Sequence, residues 1–226
     1  YKYPIKRKDY PWLILLKIVN KLRMIKSNKT IVLNGANGHL GIPILLRIIN
    51  EYHVIGICRN SSKLVKNIPL GLRDKYYPLN IDYNEVKVEE ACEKIKGLIK
   101  KNNLIIVGLI NNGFTGYPKS PNDISINSVT SSAEGLFGYH IRLALSISAL
   151  MFPPASIINI SSMYGKVAPN PKNYEHPSKV NPLLYGSMKA ALIQSTKYLS
   201  AQFAKDGIRV NSVSFGPFPS DENRKI

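Results

Sequence analysis

Three observations predict an α/β fold built on a doubly wound parallel sheet with strand order 3-2-1-4-5-6. Short β-branched runs alternate along the chain with longer stretches whose apolar residues recur at helical spacing. The first run ends in a glycine-rich turn that leads directly into a helix, as a turn that receives a phosphate does. The fifth run ends in paired serines and is followed by a helix carrying a tyrosine and a lysine one turn apart.

The first strand is expected near residues 30–34, where Thr30, Ile31, Val32 and Leu33 lead into Asn34-Gly35-Ala36-Asn37-Gly38-His39-Leu40-Gly41. The pattern IPILLRII then predicts a helix near 40–50. Gly35 permits the tight turn, Gly38 lets a pyrophosphate approach the backbone, and Gly41 allows close helix packing. Asn37 and Leu40 belong to the same anion-facing turn. The second strand, His53 to Cys58, falls near 52–58 and the third near 75–80. A helix near 84–101, a strand near 104–110 and a helix near 125–150 follow. Ile157, Ile158, Asn159 and Ile160 predict a strand near 156–161. A helix near 184–205 and a strand near 208–214 complete the alternation.

The chemistry lies where the fifth strand ends. Ser161 and Ser162 emerge at a carboxyl end, the edge of an open α/β sheet where ligands bind, and a serine there can donate a hydrogen bond to a substrate carbonyl. In YGSMK, one helical turn sets the Lys189 ammonium beside the Tyr185 phenol. A free tyrosine titrates near pH 10, so lowering that by about three units requires roughly 4 kcal/mol. A lysine about 5 Å away at an effective dielectric near 20 supplies roughly 3 kcal/mol, and a cationic nicotinamide ring can supply the remainder.

Composition bounds the alternatives. A chain of 226 residues with 44% hydrophobic content suits one globular domain, taken here as residues 24–226. Two cysteines, Cys58 and Cys92, argue against a disulfide framework and fit a reducing cytosol. The four histidines, His39, His53, His140 and His176, show no metal-ligand spacing, so no metal is expected. No apolar segment approaches the roughly 20 residues needed to span a bilayer. The net charge of +17 is concentrated towards the front, where nine Lys and Arg residues up to Lys29 face Asp9 alone. No recognition motif accompanies it, so a solvated surface that attracts anionic ligands is favoured over nucleic-acid binding. Residues 1–23 form a basic amphipathic extension around Trp12 to Leu16. An appended segment, loosely packed or disordered, is favoured over contact with an anionic membrane surface.

Together these residues resemble the short-chain dehydrogenase/reductase family from about residue 28 to residue 220. Four motifs agree in content and order. They are the glycine turn, the Ser162, Tyr185 and Lys189 set, LINNG at 109–113, and IRVNSVSFGPF at 208–218. The resemblance implies a Rossmann fold and reversible hydride transfer between a nicotinamide and a carbonyl or secondary alcohol carbon of a small molecule, in the cytoplasm and in a homo-oligomer. It assigns catalysis to Ser162, Tyr185 and Lys189, the last two also contacting the cofactor. Asn111, Asn112 and Gly113 would line the adenosine side, and Pro217 the nicotinamide. Asp82, or Asn80 in another register, would accept from the adenine amino group. NAD binders usually carry an acid about 20 residues after the glycine turn, whereas Cys58 and Arg59 stand there. Arg59 resembles a 2′-phosphate clamp, which favours NADP(H) with NAD(H) as the alternative.

Several departures qualify the resemblance. The GxxGxxG spacing resembles the branch that modifies sugar nucleotides, whereas LINNG and IRVN resemble the compact branch. The loop from Met163 to Leu184 is similar to that of reductases of flagellin modification and acylated nonulosonates, which implies a sugar-derived substrate. Ser132 stands where relatives place a relay asparagine. The ending DENRKI falls where relatives supply a final strand, so a fragment with that strand missing is expected. Two rival readings follow: a sugar-nucleotide epimerase or dehydratase that keeps its cofactor, and a non-catalytic NADP(H)-binding sensor or interaction protein.

Overall fold

The computed structural model describes residues 28–83, 88–113, 124–176 and 180–217. The expected extension at 1–23 and the ending from Phe218 onward lie outside them. Six strands form one parallel sheet in the expected order, 3-2-1-4-5-6. They are β1 (Lys29–Asn34), β2 (His53–Cys58), β3 (Tyr76–Asn80), β4 (Ile105–Asn111), β5 (Met151–Ser162) and β6 (Ile208–Phe215). The helices are α1 (Gly41–Ile48), α2 (Ser62–Asn67), α3 (Val88–Asn102), α4 (Ile126–Ala133), α5 (Tyr139–Ser148) and α6 (Leu183–Phe203).

Alternation along each strand divides the apolar residues between two cores. Val32, Leu109, Ile157 and Val210 pack with Ile95 of α3, Leu143 of α5 and Leu199 of α6 on one face. Leu33 and Val54 turn to the other face and meet Leu45 of α1 and Leu64 of α2. Both faces are therefore covered, as a parallel sheet requires. Cys58 and Cys92 are buried free thiols in different elements. No helix among the described residues is long and apolar enough to cross a membrane.

Three departures from the expected elements have local causes. The helix expected near 125–150 is interrupted by a π-helical turn over Glu134–Gly138. Just before it, the Thr130 and Ser131 hydroxyls donate back to the carbonyls of Ile126 and Asn127 at 3.0 and 2.9 Å, competing with the helical ladder. Strand β5 starts at Met151 rather than near 156. Its pairing with β4 shifts register between Ile106 and Gly108, which accommodates the two prolines, Pro153 and Pro154. The six-residue α2 is too short to announce itself by periodicity.

Helix α1 leaves the glycine turn in very close contact with it: a Cβ at Gly41 would fall 2.0 Å from the Gly35 carbonyl oxygen. Gly41→Ala is expected to destabilise the chain by about 1–3 kcal/mol through this overpacking. Thermal unfolding should show a melting temperature lower by several degrees.

Candidate active site

All six strands run the same way, so their carboxyl ends share one edge, and a cleft of about 740 Å³ opens along it. That volume lies in the range of small-molecule and cofactor sites. At its centre the β1 turn and the end of β4 are joined backbone to backbone. The amides of Asn112 and Gly113 donate to the Asn34 carbonyl at 3.1 and 3.0 Å, and Asn112 Nδ2 donates to the Gly35 carbonyl at 3.1 Å. Gly35 has φ 77°, and a Cβ there would lie 2.4 Å from Gly113, so only glycine fits. Asn37, Gly38 and Leu40 line the cleft just before α1, where helix amides lack intrahelical acceptors. This cradle, which side chains would fill, fits a dinucleotide phosphate.

Ser162, Tyr185 and Lys189 line the same cleft at its β5 end. Two hydrogen bonds lock α6 onto β5: Ser161 Oγ donates to the Lys189 carbonyl at 2.9 Å, and Lys189 Nζ donates to the Ile160 carbonyl at 2.8 Å. Both serines line the cleft, but the Ser161 hydroxyl is committed to the helix while that of Ser162 is left to the cleft. Ser162 Oγ accepts the Tyr164 amide at 3.2 Å, and its own proton can be donated. Close approach is secured by Gly165, where a Cβ would lie 2.8 Å from the Lys189 carbonyl carbon. Lys189 is only 2% exposed, and loss of hydration pushes its ammonium down to about 8. Its Nζ lies 5.7 Å from the centre of the Tyr185 ring.

Beneath the cleft, polar side chains fix these elements. Asn111 Nδ2 donates to Asn159 Oδ1 at 2.9 Å and to the His140 carbonyl at 3.1 Å, and Asn159 Nδ2 donates to Thr196 Oγ1 at 3.0 Å. A buried ladder thus crosses β4, β5 and α6. The expectation that Asn111 lines the adenosine side is corrected: it is fully buried, its amide committed to this ladder, while Asn112 and Gly113 reach the cleft. Burial pushes the His140 imidazole down to about 4, with the charge of Lys189 adding to the effect. Its Nδ1 lies 3.0 Å from the Leu136 carbonyl, so the neutral ring carries its proton there. Ser132 is fully buried and does not line the cleft, whereas Gly135 of the π-helical turn does. The hydroxyl of Ser132 has no partner among the described residues.

The other end of the cleft is formed by residues after β2 and β3. Arg59 is exposed at its rim and Asp82 lines it. Asn80 is turned away, its Oδ1 accepting the Ser61 amide at 3.1 Å. Asn37 Nδ2 donates to the Asn60 carbonyl at 2.9 Å, which ties the glycine turn to the Arg59 segment. Gly41 packs α1 against the turn instead of lining the cleft. Phe215 and Gly216 line the β5 end, with Pro217 exposed just beyond them. Cleft residues not anticipated include His39, Cys58, Tyr83 and Tyr139. For His39 and Cys58, a place in the turn and at a strand's carboxyl end was an available signal; for the tyrosines, only the fold brings them together.

Residues 85–226 match a family model described as enoyl-(acyl carrier protein) reductase. A 7alpha-hydroxysteroid dehydrogenase of Bacteroides fragilis is 26% identical over 196 residues, covering 84% of this chain and 71% of that protein. A 7alpha-hydroxysteroid dehydrogenase of Paraclostridium sordellii is 30% identical over 210 residues, covering 90% and 73%. Among solved structures, ElxO with NADP bound is 22% identical with a TM-score of 0.68, covering 88% of this chain and 77% of that one.

The depressed ammonium of Lys189 makes stability depend on pH with a definite sign. Between about 8 and the ordinary lysine value of 10.5, the unfolded chain binds the proton more tightly than the folded one. Folded stability should therefore rise with pH across that window relative to Lys189→Met, and the cost of the buried charge should be fully present below it. Denaturant melts of both proteins at pH 7, 8, 9 and 10 check this, parallel pH dependence counting against the buried charge.

Proposed function

The chain belongs to the short-chain dehydrogenase/reductase family of NAD(P)-dependent oxidoreductases, and on that premise we propose that it interconverts a carbonyl and a secondary alcohol, with NADP(H) favoured over NAD(H). One observation carries this reading: a buried ammonium beside a phenol, in the same cleft as a serine hydroxyl and a glycine phosphate cradle. When bound, the nicotinamide supplies or accepts the hydride. The Ser162 hydroxyl donates to the substrate carbonyl and holds it for attack. In reduction Tyr185 gives its phenolic proton to that oxygen, and in oxidation it takes the alcohol proton back. With its Nζ 5.7 Å from the centre of the Tyr185 ring, the Lys189 charge is placed to steady negative charge on the phenol as the proton moves. With its value at about 8, Lys189 keeps that charge at neutral pH.

Arg59 at the rim, with no carboxylate in its place, supports a 2′-phosphate and hence NADP(H). Solved structures similar in fold hold NADP in one case and NADH in another, so the preference rests on Arg59. For the substrate, the loop after β5 supports a hydroxylated, sugar-derived carbonyl over a steroid such as the named relatives imply. It carries polar side chains from Asn170 to His176, and its Tyr164 and Tyr174 hydroxyls are hydrogen-bonded to each other. A panel of keto-sugars and ketosteroids, followed by NADPH absorbance, decides between the two classes. Reduction confined to steroids rejects the sugar reading.

Tyr185→Phe is expected to lower turnover by about 10²–10⁴-fold or more while leaving NADPH affinity, measured by fluorescence titration, nearly intact. Retained activity rejects the acid/base role. Arg59→Ala should cut kcat/KM for NADPH by about 10–100-fold, the loss of one charge-assisted contact, and leave that for NADH little changed. Equal preference for the two cofactors in both proteins rejects the clamp.

A further inference from the structure

The 3₁₀ turn that follows β5, Met163–Gly165, is wedged between Ser162 and the helix that carries Tyr185. The Tyr164 amide donates to Ser162 Oγ at 3.2 Å. Its carbonyl faces α6 one residue after Tyr185, where a Cβ at Gly186 would fall 2.9 Å from that oxygen. The backbone of one residue therefore spaces Ser162 from Tyr185. The side chain of that residue is held as well, since the Tyr164 hydroxyl is hydrogen-bonded to that of Tyr174. This bond, with burial adding, pushes the Tyr164 phenol up to about 12, so it stays neutral at any pH at which the enzyme works. Tyr174 is half-buried in a run that is otherwise exposed from Asn170 to His176. The backbone that carries it is fixed by a tight turn: Asn170 Oδ1 accepts the Lys172 amide at 3.1 Å, and the Tyr174 amide donates to the Pro171 carbonyl at 3.2 Å.

We propose that Tyr174 is a positioning residue for catalysis: by holding the Tyr164 hydroxyl, it fixes the turn that sets the separation of Ser162 from Tyr185. This rests on the hydride-transfer reading above and adds a residue role to it. Neither Tyr164 nor Tyr174 is among the residues that line the cleft, so the pair acts on the reaction through the backbone. A tyrosine side chain turns about two bonds only. With its tip tethered, Tyr164 cannot swing, and the planar peptide units on either side of it are held with it. Such control matters because reacting groups must be kept in a near-attack geometry, and a misplacement of about 1 Å can cost about 10²-fold in rate. Removing the tether loosens the turn without dismantling it, since the Lys166 and Val167 amides still donate to the Met163 carbonyl at 2.8 and 3.0 Å. A smaller loss than that is therefore expected.

Tyr174→Phe and Tyr164→Phe each keep the ring and remove the bond. In steady-state reduction of butane-2,3-dione, a small reactive diketone, with NADPH, each should lower kcat about tenfold, while NADPH affinity by fluorescence titration stays at the wild-type level. Because both changes remove the same bond, the double variant should be no slower than either single one. A bond that only pins the loop would lower the melting temperature and leave kcat per folded molecule alone. Unchanged kcat, or losses that multiply in the double variant, overturns the inference. Independently of turnover, protein labelled at tyrosine Cζ reports on Tyr185 directly, its signal being identified by its loss in Tyr185→Phe. That signal should shift in both Tyr174→Phe and Tyr164→Phe; a signal that stays in place in either overturns the inference. Should one variant fail to fold, the other decides. Wild-type protein that reduces no carbonyl strikes instead at the hydride-transfer reading, and the Tyr185 signal then decides the inference.

Discussion

A buried ammonium is the constraint around which this site is organised. Lys189 sits almost wholly out of water, a costly place for a charge that lacks compensating partners. The Ile160 carbonyl supplies one partner at 2.8 Å, and that bond is available only because α6 lies directly against the end of β5. Ser161 closes the same junction from the strand side, and Gly165 lets the following turn approach the helix backbone. Position and charge are thus set together. The same packing that dehydrates Lys189 places it 5.7 Å from the Tyr185 ring and leaves Ser162 facing the cleft.

Further inward, the polar ladder Asn111–Asn159–Thr196 ties β4, β5 and α6 into one rigid unit. Buried amides and hydroxyls are expensive when unpaired, which makes such a ladder a register device: slipping either strand would orphan several groups at once. His140 adds a neutral ring beneath the same region, its proton directed at the Leu136 carbonyl of the π-helical turn. A second charge close to Lys189 is thereby avoided. The glycine turn is joined to the end of β4 by Asn112, so the turn and the β5–α6 junction share one framework.

Much of this was legible in the sequence because it depends on local pattern. Sheet order follows from strand–helix alternation, and the glycine turn and YGSMK announce themselves by spacing. Residues with two uses were harder to read. Asn111 and Asn112 are neighbours in LINNG, yet only the alternation of a strand's two faces decides that the first is a buried peg and the second faces the cleft. Ser161 and Ser162 both line the cleft, and only the packing of α6 on β5 decides that the first hydroxyl is taken up by the Lys189 carbonyl. The π-helical turn, the early start of β5 and the Tyr83–Tyr139 stack were not legible, since each arises from contacts between segments far apart in the chain. Lys189 was read as a partner for Tyr185; its burial, and so the depression of its own ammonium, required the packing of α6 on β5.

The most direct test is the pH profile of kcat/KM for carbonyl reduction in wild type and in Lys189→Met. If the buried ammonium primes the phenol, the wild-type rate falls as pH rises through about 8, where Lys189 loses its proton. The variant should be slower by about 10²-fold, the low end of what a positioned general acid contributes, with no transition there. A Lys189→Met enzyme that matches wild type across the whole range would contradict the account.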